Sequence, residues 1–127
     1  MNSTRIFLVL GPVLASISVA AGAFASHALK AQLDDYALGI WETAARYEMY
    51  HAIALFFVGL LALNGKASKA LVNLAGTGFI VGTFLFSGSL YALSLSHVKV
   101  LGAITPLGGV AFLAGWIFLA IAGWSQG

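Results

Sequence analysis

Tyr47, Glu48 and His51 are the residues in this sequence whose types and spacing could do chemistry. Residues three or four apart share a helix face, so a phenol, a carboxyl and an imidazole fall on one stripe. Such a stripe can bind or relay protons, or hold a small polar ligand. Glu-x-x-His is also a metal-ligand spacing in helical bundles, but one motif supplies only two ligands, and di-metal bundles use more carboxylates. No metal and no cofactor is therefore expected. A second stripe holds Glu42, Arg46 and Tyr50, with Glu N-terminal to Arg in the favourable order for an interfacial ion pair. The plainer alternative for both stripes is that the polar pairs satisfy one another and orient the helix.

The segment that must position these groups runs from Trp41 to Leu63, polar in its first half and almost wholly apolar in its second. At helix pitch His51 lies about 13 Å deeper than Glu42. The rest of the chain explains why that depth matters. Of 127 residues, 61% are hydrophobic and 8% charged, against about 25% charged in a soluble domain. Too little charge remains to cover a soluble surface, so lipid must be the solvent. A polar cluster entering a membrane helix is costly unless partnered, and is a natural place to look for function. Six basic and four acidic side chains give a net charge of +2, with no basic, aromatic-interleaved patch for nucleic acid. Cys is absent, which removes disulfides, thiolate nucleophiles and thiolate metal sites together.

Four apolar runs are each long enough for a hydrocarbon core that needs roughly 20 helical residues. They cover about 6–28, 36–63, 70–95 and 100–124. The chain reads as an all-α integral membrane protein, one four-helix transmembrane domain over 1–127. Its second helix is extended by an interfacial amphipathic segment, and its fourth is kinked near Pro106, which removes a backbone donor. The first run competes with a signal peptide, since Arg5 could be an n-region and Ala23-Phe24-Ala25 mimics a cleavage site. Its length favours a retained helix. Gly11, Ala15, Ser18, Gly22 and Ser26 give that helix a smooth face for close packing in lipid, and Pro12 is placed in its first turns. Asp34 or Asp35 can cap the second helix, and Trp41, Tyr47 and Tyr50 fit an interfacial aromatic belt.

In the third run, Gly78-x-x-x-Gly82 is a packing pair, and Thr83, Ser87 and Tyr91 form a thin hydroxyl stripe. His27 and His97 each close a helix, where an imidazole suits the dipole. No Gly-x-Ser-x-Gly elbow accompanies the serines, so serine catalysis has no support. The basic residues are nearly balanced between the two ends. If Glu42 ties Arg46 into the helix, both termini face the cytoplasm.

Several stretches occur together in order: GAFASHALK, RYEMYHAIAL, FSGSLYALSLSH and ITPLGGVAFLAGW. On these the chain resembles the small membrane family of domain of unknown function 423, with its YgdD-like and transmembrane protein 256-like members. The resemblance covers nearly the whole chain and implies a four-helix protein of the bacterial inner membrane, with no catalytic role to carry over. Matched positions are Gly22, Phe24 and His27, then Tyr47 and His51. They continue with Ser87, Gly88, Ser89, Tyr91, Ser96 and His97, and end with Thr105, Pro106, Gly108, Gly109, Gly115 and Trp116. Two positions depart from the family pattern. Ala25-Ser26-His27 stands where Gly before Ala-His is usual, and Glu48 stands where Gln is usual. A Gln does not titrate, so the resemblance argues against a family-wide proton carrier there.

The expected function is a non-enzymatic inner-membrane protein that forms homo-oligomers through small-residue faces or assists another membrane protein. Tyr47, Glu48 and His51 would meet Ser87, Tyr91 and the Thr105-Pro106 region in a polar pocket for a lipid headgroup, a small solute or a partner helix. The alternative is a small-solute or proton-coupled transporter acting as an oligomer.

Overall fold

Asp34 starts the element on which the others converge. Its Oδ1 accepts from the Ala37 amide at 2.8 Å, meeting one of the donors that a helix start leaves unsatisfied. The structure is a computed structural model that describes residues 2–126. From this cap, α2 runs unbroken over Asp35–Asn64 and ends at Gly65, whose φ of 77° is the left-handed stop that glycine tolerates.

Before it, α1 spans Ser3–His27, capped by the Asn2 side chain. Pro12 lies well inside this helix rather than in its first turns, because the helix starts three residues before Ile6. Its ring is exposed on the outside of the bundle. After the Gly65 turn, Ser68 caps α3, which runs over Lys69–Ser96. A π-helical stretch, Thr83–Gly88, interrupts it. A 3-10 turn over Lys99–Ala103 then leads into α4, Thr105–Trp124. Pro106 stands in the first turn of α4, where its missing amide has no helical partner to lose. The break at Pro106 thus takes the form of a 3-10 turn meeting an α-helix.

All four spans are long and apolar enough to cross a membrane. They alternate in direction. Gly11 of α1 meets the Ala52 carbonyl and Gly59 of α2 meets Leu8, while Gly78 and Gly82 of α3 meet Ala111 and Phe112 of α4. The Gly78–Gly82 pair therefore receives α4. In lipid, helix association rests on such close packing and on interhelical hydrogen bonds. The main apolar core joins Phe7, Leu14, Leu55, Val58, Val72, Phe79 and Phe112. Trp41 belongs to a second cluster with Ala21, Ala25 and Leu29. It is not part of an interfacial belt: its indole N–H donates inward to the Ala21 carbonyl at 2.8 Å.

Candidate functional site

The outward positions of α2's first half are Asp35, Tyr36, Glu42, Arg46 and Tyr50, and its inward positions are Ala37, Trp41, Ala44, Ala45 and Glu48. This amphipathic register delivers Glu48 and His51 into the bundle, at 3% and 5% exposure. Glu42 and Arg46 are both exposed and form no ion pair. An exposed pair gains little over hydration, so its absence costs little.

Once inside, the stripe divides. Glu48 faces α3, where the Tyr91 hydroxyl donates to its Oε1 at 2.8 Å. The Tyr91 ring rests edge-on against Trp41, 4.6 Å between centroids. Oε2 of Glu48 is buried with no hydrogen-bond partner. His51 turns toward α4, and its ring stacks on Phe112 at 3.5 Å and 9°.

The partners of His51 fix its chemistry. Its Nδ1 lies 2.7 Å from the Tyr47 carbonyl, which can only accept. Its Nε2 lies 3.0 Å from Trp116 Nε1, which can only donate. The consistent assignment is therefore a neutral imidazole carrying its proton on Nδ1, with both nitrogens satisfied. Tyr47 stands at the edge of this aromatic group, 4.7 Å from Phe86 and half-exposed.

The hydroxyls of the neighbouring helices also turn to α2. Ser18 donates to the Ala45 carbonyl at 2.6 Å, Ser87 to Ala44 at 2.7 Å, and Ser94 to Ala37 at 2.7 Å. Helix α2 is thus the common acceptor for donors from α1, α3 and α4. Such bonds average about 0.6 kcal/mol each in a membrane protein, so their worth lies in fixing register as much as in stability.

Ser87 and Tyr91 therefore lie beside Glu48's side of α2. Thr105 and Ser89 pair with each other at 2.6 Å, between α3 and the start of α4. Gly108 lets α4 approach the backbone of Phe86 in the π-helical stretch, while Gly109 is nearly clear of neighbours. His27 and His97 lie exposed at helix ends, apart from buried His51. Among the described residues, no group of three His, Asp or Glu side chains gathers that could hold a metal ion.

The roles of Ser18, Ser94 and Phe112 escaped sequence reasoning. Ser18 and Ser94 differ in no way from exposed serines in apolar runs. The signal for Trp116 was its donor-only indole, but nothing in the sequence assigns that donor to a histidine 65 positions away.

Fold and site together define a multi-pass helical membrane protein with an internally bonded polar core. A family model described as "Protein of unknown function (DUF423)" matches residues 21–109, and the chain belongs to that family. It is 46% identical over 118 residues to a UPF0382 membrane protein of Staphylococcus aureus (strain bovine RF122 / ET3-1), covering 93% of this chain and 94% of that one. It is 46% identical over 120 residues to the UPF0382 membrane protein YwdK of Bacillus subtilis (strain 168), covering 93% and 95%. These names describe membrane proteins and specify no reaction. No solved structure matches the chain significantly.

Proposed function

We propose that this is a non-enzymatic inner-membrane protein that works by association, as a homo-oligomer or as an accessory to another membrane protein, with both termini on the same side of the membrane. One observation carries the reading: α4 is held by a single face. Only 17% of the most apolar stretch of the last span, Lys99–Trp124, is buried inside the chain, against 28% for α1 and 39% for α2 and α3. Leu113, Ile117 and Ile121 stay exposed along its outer side. The ring of Trp116 is half-exposed on the same helix while its N–H is committed to His51. A neighbour docking on α4 would therefore bear on His51 through Trp116, and the Tyr47/Glu48/His51 cluster, with Ser87, Tyr91 and Thr105, is the proposed recognition site.

The absence of native cysteine makes the test clean. Leu113→Cys in native membranes is expected to form a disulfide-linked dimer, while Val9→Cys on the outer side of α1 is not. A monomer from both, together with a bare monomer in native mass spectrometry from lipid particles and no protein co-purifying, overturns the proposal.

A second reading, a proton-coupled transporter, is favoured by the unpartnered Oε2 of Glu48. It requires a pH-driven flux into proteoliposomes that Glu48→Gln or His51→Ala removes. Absence of flux sinks it.

A further inference from the structure

The geometry points to a binding groove for an anionic phospholipid at the end of the bundle away from the termini, with the headgroup phosphate on Lys99 and His97 and an acyl chain along α2. The groove holds about 420 Å³ between the start of α2, the end of α3 and the 3-10 turn, within the size range of small-molecule sites. Its walls are apolar, chiefly Ile40 and Leu93. Ala37 also lines the groove, and its carbonyl already accepts from the Ser94 hydroxyl at 2.7 Å. Tyr36, His97 and Lys99 complete its lining. The pattern is a largely apolar groove with two basic side chains, the complement of an amphiphile with an acidic head.

A left-handed turn brings these two basic residues to the groove. His97 is the only described non-glycine residue with positive φ, at 60°, a conformation uncommon outside glycine. It ends α3, its amide bonding the Leu93 carbonyl at 2.8 Å. The Val98 amide then donates to Ser96 Oγ at 3.2 Å. This left-handed turn carries His97 and Lys99 to the groove that Tyr36 also lines.

A second groove shares Tyr36 and Ile40 and continues past Gly39, Thr43 and Leu90. Gly39 leaves open space there, so the trough has room to run on along α2. Asp35 lies on this second groove. Its charge turns a phosphate away from that side and toward Lys99 and His97, which sets the headgroup's position. Asp34 is committed to capping Ala37.

The test uses the full chain in mild detergent, with phosphatidylglycerol, phosphatidylcholine and inorganic phosphate as probes. Phosphatidylglycerol is expected to be retained in native mass spectra and to raise the melting temperature more than phosphatidylcholine does. Lys99→Gln should cut that preference about fivefold, the worth of one basic residue near an anionic surface. Lys66→Gln, at the opposite end, should leave it unchanged. Ile40→Trp, which fills the trough and keeps the charges, should abolish retention while the protein still melts cooperatively. Equal retention of the two lipids, an unchanged preference in Lys99→Gln, or a shift with inorganic phosphate matching that with phosphatidylglycerol overturns the proposal.

Discussion

The indole N–H of Trp116 donates to Nε2 of His51 at 3.0 Å, joining α4 to α2 across 65 positions of sequence. Because the other ring nitrogen is bonded to the Tyr47 carbonyl, this one contact decides whether the buried imidazole is fully satisfied. Trp116→Phe keeps an aromatic ring and removes the donor. Leaving a buried acceptor unmet costs about 1–3 kcal/mol, whereas removing both partners together can be nearly neutral. Trp116→Phe is therefore expected to lower stability by that amount in a reversible unfolding assay in lipid or mild detergent. His51→Leu added to Trp116→Phe should restore much of the loss. Strictly additive losses would show that the two side chains do not depend on each other.

Glu48 and Tyr91 make an asymmetric pair. Tyr91→Phe strips the carboxyl of its hydrogen bond and leaves both oxygens buried and unmet, so a loss of about 1–3 kcal/mol is expected. Glu48→Gln keeps an acceptor for the Tyr91 hydroxyl and removes the ionisable group, so stability should change by less than about 1 kcal/mol. Glu48→Lys places an ammonium in the same buried site and should prevent folding, because a buried unpaired charge is the costlier defect. Thermal melts of the three variants rank them. Equal effects for the Gln and Lys variants would mean that the site is wet.

Ser87 and Ser94 test the acceptor role of α2. Each donates to one of its carbonyls, so Ser87→Ala and Ser94→Ala should each cost about 0.6 kcal/mol. Ser26→Ala is the control, because the Ser26 hydroxyl bonds its own helix on an exposed face. Its loss in the same unfolding assay should fall below the other two.

The four spans were legible because lipid makes apolar length itself the signal, and α2's polar half was legible because charge in a membrane helix is rare. The start of α2 was readable because Asp34 stands just before a helical pattern, whereas the Asn2 cap of α1 was not read. What resisted reading was direction. Tyr47, Glu48 and His51 share a stripe by spacing, yet Glu48 meets α3 and His51 meets α4, because a stripe fixes a face and not the neighbour that covers it. Trp41 looked like an interfacial anchor because its amphipathic ring suits either place. A buried carbonyl, Ala21, claims its N–H. The π-helical turn at Thr83–Gly88 has no signature in residue type, and it shifts the register of everything after it. The Thr83, Ser87 and Tyr91 stripe still ends up inside, while Ser89 is turned to α4 to meet Thr105.

Glycines in the same motifs separate by what surrounds them, which gives a sharp final prediction. A Cβ on Gly108 would run into the backbone of Leu85 and Phe86, and a Cβ on Gly88 would meet nothing within 4 Å. Backbone cannot swing aside as a side chain can, so Gly108→Ala must push α4 away from the π-helical stretch of α3. Overpacking of this kind typically costs about 1–3 kcal/mol. Because Thr105 lies one turn earlier on α4 and bonds Ser89, the displacement should also weaken that contact. The Trp116–His51 bond two turns later should loosen too, red-shifting the indole fluorescence. Gly88→Ala should be tolerated or slightly stabilising, since alanine is the better helix former by about 1 kcal/mol. Measured side by side, a tolerated Gly108→Ala would mean that the two helices do not approach as closely as Gly108 and Phe86 do here.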